Sequence, residues 1–358
     1  MPLRRPPLAV ALLIILSTAC LGAPRPLLLG VIGDTQKPDG DPLSDLRWGL
    51  GQIEALPLDA MLMPGDLTDT GTTAQWSSFM GAVDGFPYPI VYAAGNHDAV
   101  PGEREYRGLF RHYTGQPAYA RFEAGDWQLF VLDTCLFVDG HLEHKGRVSE
   151  AQLRWLKGQL EGVGPDEPIM VMAHHPFGEP SDGIDNWERV LSAFEGHDLR
   201  LTLTGHFHRN RLFHSEDGTP HLTTGALSFS TAPDRCGIGY RVLSLVGDEL
   251  HTVWVERDDP ELAIEPLNLR LGDQARVALE SGMGQALLIR YRGGPVTVLI
   301  DGEMTNLPAS PEGSVAVLPL PEGAAAVVDL QSASDLGGEA AASLVTTASG
   351  WETLQLAE

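Results

Sequence analysis

Apolar runs of strand length recur through the first two thirds of the chain, and five of them stop abruptly at polar groups: GVIGDTQ, MLMPGDLTD, VYAAGNHD, VMAHHP and LTLTGHFH. Between the runs the apolar positions change period. Leu43, Leu46, Leu50 and Ile53 fall three or four apart, as do Trp76, Met80 and Val83, and then Leu153, Leu156, Leu160 and Val163. That spacing places each set on one helix face, so the alternation predicts βαβ units and parallel strands. Ser149 with Gln152 fits a capping box at the start of the third helix. Trp187, Val190, Leu191 and Phe194 mark a further helix ahead of LTLTGHFH. Hairpin-like strands follow at Leu222 to Ser228, then at Tyr240 to Val246 and Leu250 to Val255 around a Gly247-Asp248 turn.

Beyond Asp258-Asp259-Pro260 the pattern changes to short strands broken by Gly and Pro: Ala286 to Arg290, Val296 to Ile300, Val315 to Leu318 and Ala325 to Leu330. Residues 262–358 contain neither His nor Cys. They predict a small all-β domain that packs rather than performs chemistry, following an α/β domain over residues 25–257.

The polar ends of the five runs carry the chemistry. Asp34, Gln36, Asp66, Asn96, His97, His174, His206 and His208 all follow strand-like segments. One parallel sheet would gather them along one edge, outside the carboxyl ends of its strands, where open α/β sheets bind ligands. A mixture of carboxylate, amide and imidazole donors suits a pair of divalent first-row metals roughly 3.5–4 Å apart.

Composition narrows the partners. The chain has 358 residues and a formal net charge of −24, and Lys37, Lys145 and Lys157 are its lysines. Nucleic acid polymers and anionic lipid surfaces are bound through Lys/Arg patches, which such a balance disfavours.

Residues 1–19 read as a targeting segment: Arg4 and Arg5, an apolar core from Leu8 to Leu16, and Ser17-Thr18-Ala19 as a small-residue cleavage site. Cys20 follows, as in a bacterial lipoprotein signal, although Ser17 stands where an apolar residue is usual. Export is expected, into the cell envelope or periplasm, with lipidation at Cys20 as the membrane contact, or alternatively an uncleaved anchor. Cys135 and Cys236 could pair in that compartment or remain two separately buried thiols.

The five blocks, in this order, resemble those of the calcineurin-like metallophosphoesterases: D-x-H, GD-x-x-D, GNH(D/E), H-x-P and GH-x-H. The resemblance covers roughly Pro26 to Glu256 and is strongest to the branch holding class III cyclic nucleotide phosphodiesterases and related phosphatases. It implies a four-layer α/β sandwich of two facing sheets flanked by helices. It also implies a dinuclear centre of Mn, Fe or Zn, with Asp66 bridging, Asp34, Gln36 and His208 at one site, and Asn96, His174 and His206 at the other. His97 would face the substrate as the acid for the leaving oxygen, with Asp69 holding its ring. His175 reads as a packed or hydrogen-bonded neighbour of the ligands, and Asp98 as a second orienter or a helix cap. Arg209 is a candidate phosphate-facing cation. His141 and His144 lie in a loop that could border the cleft.

Gln36 departs from the family's usual His. An amide oxygen binds first-row metals less well than imidazole, so that site is expected to be weaker, unless Gln36 only holds a bound water. The expected function is hydrolysis of small phosphomono- or diesters by a metal-bridging hydroxide, with export favouring phosphate scavenging over turnover of an internal messenger. A non-catalytic envelope protein that keeps the fold is the competing class. Substrate identity and oligomeric state are not legible in the sequence.

Overall fold

A computed structural model describes residues 24–36, 43–98, 106–138, 141–179, 181–228, 237–258, 262–281, 283–323, 325–332 and 338–356. The targeting segment, Cys20 and Cys236 lie outside them. Cys135 is buried.

Along the chain run β1 (Leu27–Val31), α1 (Ser44–Ile53), β2 (Ala60–Met63), α2 (Thr73–Val83), β3 (Ile90–Tyr92) and α3 (Tyr106–Thr114). Next come β4 (Ala120–Ala124), β5 (Trp127–Val131), the short hairpin β6 (Phe137–Val138) and β7 (His141–Leu142), α4 (Glu150–Leu160) and β8 (Ile169–Met172). The α/β part ends with α5 (Trp187–Leu191), β9 (Leu199–Thr204), β10 (Arg211–His214), β11 (Pro220–Thr223), β12 (Gly239–Val246) and β13 (Glu249–Glu256).

These strands form two sheets, not one. β1, β2 and β3 are parallel neighbours in the first, where β12 and β13 extend the other edge. The second runs β10-β11-β9-β8-β5-β4, with β9 parallel to both β8 and β11. The reason is visible along β1: Leu27, Leu29 and Val31 enter the core between the sheets, while Leu28 and Ile32 pack against the helical side. A strand buried on both faces reads as a continuous apolar run, with no alternation to say how many sheets there are.

Helices cover the outer faces. α2 begins where the Thr72 side chain accepts a hydrogen bond from Gln75 N at 3.3 Å, and it buries Trp76, Phe79 and Val83. Ser149 caps α4 in the same way, accepting from Gln152 N at 3.2 Å. Only half of the expected capping box forms, because the buried Gln152 side chain instead clasps the backbone of Asp133 at both N and O. The helix over Trp187 and Phe194 is a short α segment continued by a 3₁₀ turn, Ser192–Phe194.

The remaining strands are β14 (Ala263–Arg270), β15 (Gln274–Ala278), β16 (Gly284–Gly293), β17 (Val296–Ile300), β18 (Glu303–Leu307), β19 (Ser310–Pro319), β20 (Ala325–Ser332), β21 (Gly338–Thr347) and β22 (Glu352–Gln355). Sheets β14-β21-β16-β19 and β15-β20-β17-β18 make the expected all-β unit. Its boundary differs from the expected 262–358, because β22 pairs with β13 as an edge strand of the first sheet. The sandwich also closes that sheet. Leu287, Ile289, Ala316 and Leu318 point into its own interior, while Ala286, Leu288 and Val317 join the core beneath β12 and β13. It supplies there the apolar cover that α1 and α2 supply over β1 and β2. Among the described residues no helix is long and apolar enough to cross a membrane.

Candidate metal centre

Each predicted donor sits in the loop that leaves a central strand: Asp34 and Gln36 after β1, Asp66 and Asp69 after β2, Asn96 and His97 after β3, His174 after β8, and His206 and His208 after β9. The carboxyl ends of the two sheets meet here, and backbone bonds tie the loops together. Asp34 N donates to Gly65 O at 3.2 Å, Thr35 N to Asp66 O at 2.9 Å, and Gly205 N to His174 O at 3.0 Å. Four donors, Asp34, Asp66, His206 and His208, have positive φ of 50, 52, 71 and 52°. A non-glycine residue in that region costs on the order of 1–3 kcal/mol and persists only where the surroundings impose it.

Glycines let the donors approach. A Cβ on Gly95 would lie 2.1 Å from Asp66 Oδ1, and one on Gly205 would lie 2.5 Å from Asp34 Oδ2. Gly65, Gly95 and Gly205 each directly precede a donor, so the printed blocks already contained this signal.

The donors fall into two adjoining groups whose ligating atoms lie within 4.8 Å of one another, Asp34-Asp66-His208 and His174-His175-His206. Asp66 joins them: its Oδ2 is 2.8 Å from Gln36 Nε2 and 3.3 Å from His174 Nε2. Gln36 Nε2 is also 3.1 Å from His208 Nε2, and His208 Nε2 is 3.4 Å from Asp34 Oδ1. On the other side His174 Nε2 is 3.1 Å from Asn96 Oδ1 and 3.2 Å from His206 Nδ1, while its Nδ1 is fixed 2.9 Å from Pro64 O. All seven predicted ligands therefore meet in one site. His175 adjoins it as well. Its Nδ1 is 2.8 Å from Thr134 Oγ1, the expected hydrogen-bonded arrangement, but its Nε2 is buried without a hydrogen-bond partner.

The charges show what the site lacks. Asp34 and Asp66 are buried, and among the described residues neither pairs with Lys or Arg. Buried carboxylates are costly unless a cation or several donors compensate them. Burial opposes ionisation of Asp66, yet the His174 ring holds its carboxyl well below the usual range. Burial likewise opposes charge on His174, but Asp66 outweighs it and pushes the ring up to about 9. Burial and His174 together push His206 down to about 3. In the bare protein a proton on His174 thus supplies the positive charge. Gln36 Oε1 remains buried with no hydrogen-bond partner. Two buried carboxylates grouped with imidazole and amide side chains, and paired with no Lys or Arg among the described residues, make an oxygen and nitrogen donor set that fits divalent first-row ions.

The family model for calcineurin-like phosphoesterases matches residues 27–210. The chain belongs to that family. A 3',5'-cyclic adenosine monophosphate phosphodiesterase of Escherichia coli is 27% identical over 227 residues, covering 58% of this chain and 79% of that protein. The cAMP/cGMP dual specificity phosphodiesterase of Mycobacterium tuberculosis is 31% identical over 209 residues, 55% of this chain and 61% of its own. A dimetal phosphatase from Danio rerio has the same fold, with a TM-score of 0.54 at 19% identity, covering 65% of this chain and 98% of that one. This calcineurin-like phosphoesterase is a metal-dependent phosphoric ester hydrolase.

Beside these donor groups, His97 N donates to Asp66 Oδ1 at 2.9 Å, which ties the GNHD loop to the carboxylate that joins them. The His97 ring departs from expectation. Its Nδ1 is 2.9 Å from the backbone carbonyl of Asp69, whereas the Asp69 carboxylate is 3.9 Å away. The main chain of Asp69, more than its side chain, sets the ring. The Asp98 side chain serves the loop backbones. It is buried and accepts from Gly95 N at 2.8 Å and Thr68 N at 2.9 Å, bracing the two loops, and burial beside Asp66 pushes it up to about 7. Arg209 lies over the Phe207 ring, 4.9 Å from its centroid. His144 borders the site, its ring 6.5 Å from that of His206. Ser228, which the sequence left unmarked, donates to the carbonyls of Asp34 and Gln36 and pins the first loop.

Proposed function

We propose that this calcineurin-like phosphoesterase is exported and hydrolyses small phosphodiesters at a centre for two metal ions. The observation that carries the reading is the pair of donor groups joined through Asp66, with His97 alongside. Asp34, Gln36, Asp66 and His208 would hold one ion, and Asp66, Asn96, His174 and His206 the other. Bound there, two ions would supply Lewis acidity, activating water near neutral pH and neutralising phosphoryl oxygens.

The protein's own part is to orient and protonate. With Nδ1 directed at the Asp69 carbonyl, His97 keeps Nε2 out of that contact, on a side chain 37% exposed. That nitrogen would protonate the leaving oxygen, a contribution of typically ~10²–10⁴ in rate. A binding module has no use for an oriented, half-exposed imidazole beside a buried metal carboxylate, which favours the enzyme over the non-catalytic alternative. A diester substrate is supported by the phosphodiesterase names of the relatives.

Chelated protein reloaded with Mn²⁺, Fe²⁺ or Zn²⁺ should cleave bis(4-nitrophenyl) phosphate faster than 4-nitrophenyl phosphate. Asp66→Asn and His206→Ala should abolish turnover and lower metal content. Full activity after thorough chelation would refute the reading, and a preference for the monoester would refute the substrate class. Export rests on the charged, apolar and small-residue order of residues 1–19. Labelled palmitate should enter the wild type and not Cys20→Ser. A soluble, unlabelled wild type would replace lipidation by ordinary signal cleavage.

A further inference from the structure

The C-terminal sandwich holds a cavity of about 760 Å³ lined by three arginines, Arg270, Arg290 and Arg292, with Glu339 as the acid among its lining residues. The pairing register makes it a cradle. Arg270 on β14 and Arg290 on β16 both stand opposite Ala341 on β21, so the two arginines flank one methyl group on the same face of the sheet. Two strand spacings put their Cα atoms about 9.5 Å apart, within reach of a shared ligand for side chains of this length.

Several arginines meet acids, as in Arg25–Asp59, Arg147–Asp185 and Arg200–Asp198. With a net charge of −24 there are acids to spare. Among the described residues, however, Arg270 and Arg290 form no ion pair, while Arg292 donates to Pro311 O at 3.0 Å and stands in register with Glu339.

We propose that this cradle is an anion site that takes a phosphate group, clamped between the Arg270 and Arg290 guanidiniums, whose planar forks match phosphate oxygens in pairs. It is separate from the metal centre. Ser314 Oγ, paired in register with Tyr291, donates to Pro26 O at 3.1 Å, so the cradle lies beside the start of β1, whereas the metal ligands follow its end. The phosphate has two sources, a soluble phosphoester or a lipid head group. The second has a structural route, since Cys20 is six residues before Pro26, within about 20 Å of extended chain.

Calorimetric titration of the chelated protein with inorganic phosphate, and sedimentation with phosphatidylglycerol or phosphatidylcholine vesicles, test this. Arg270→Gln with Arg290→Gln should weaken phosphate binding at least about tenfold, as loss of two charged hydrogen-bonding groups requires. Ala341→Glu, at an exposed position, should do the same by supplying a carboxylate in place of the ligand. Both variants should unfold at the wild-type temperature and, reloaded with metal, hydrolyse substrate at the wild-type rate. Arginine-dependent binding to phosphatidylglycerol vesicles identifies the lipid source, and arginine-dependent binding to phosphate alone identifies the soluble one. Wild type that binds neither phosphate nor vesicles, or variants that bind as wild type does, overturns the site.

Discussion

Asp69→Asn separates the two ways in which the His97 ring can be held. The carboxylate is 3.9 Å from His97 Nδ1, and the two side chains are 37% and 22% exposed. Coulomb's law at that separation gives ~1 kcal/mol in water and ~4 kcal/mol at an effective dielectric of 20. The exposed setting places the pair at the lower end, ~0.2–1 kcal/mol. The hydrogen bond from Nδ1 to the Asp69 carbonyl at 2.9 Å survives the substitution, because it uses the main chain. At ~1.4 kcal/mol per factor of ten, Asp69→Asn should lower kcat/KM by no more than about fivefold. His97→Ala should lower it by ~10²–10⁴ with metal content unchanged. The assay is phosphodiester hydrolysis at saturating Mn²⁺, with metal quantified in the same samples. A loss of about a hundredfold in Asp69→Asn with full metal content would show that the carboxylate, not the carbonyl, orients the ring.

Three further outcomes are expected. Gly95→Ala would force a Cβ to 2.1 Å from Asp66 Oδ1 and 2.2 Å from the Asp66 backbone nitrogen, so it should cost about 1–3 kcal/mol in denaturant unfolding and reduce metal content; an unchanged midpoint would refute the close-approach role. Gln36→His should tighten one of two metal-binding steps and leave the other fixed, since imidazole outcompetes an amide for Zn²⁺ or Fe²⁺; if this variant and Gln36→Ala both bind metal as wild type does, Gln36 is no ligand. In the metal-free protein, burial is outweighed by Asp66 and His174 is raised from 6.5 to about 9. Its stabilisation should therefore be complete below pH ~6.5 and lost as pH rises through ~9, and metal binding between those values should release about one proton per protein, visible as buffer-dependent calorimetric heat. No proton release at pH ~7.5 would contradict that assignment.

The donors themselves were legible in sequence because each block pairs an apolar run with a side chain of fixed chemistry, and those identities survive any arrangement of strands. Asp34, Asp66, Asn96, His174, His206 and His208 needed no coordinates to be named. α1, α2 and α4 were legible for the same local reason: their apolar period, with the Ser149 cap of α4, is written within a dozen residues. The amphipathic α3, by contrast, has only a two-turn pattern among polar residues and was missed.

Three features depended on the tertiary structure. The strands' runs are apolar on both faces, so nothing local divides them into two sheets, and only pairing decides that β8 and β9 face β1 and β2. Which atom of Asp69 meets His97 depends on a loop's path, since a residue's name does not say whether its carbonyl or its carboxylate arrives first. Likewise, His175 and the cradle of Arg270 and Arg290 each combine residues whose meaning lies in their neighbours. A sequence specifies side-chain chemistry and short-range period. Contact across distant segments is set by the packing of whole layers, and that decided which of these groups stand together.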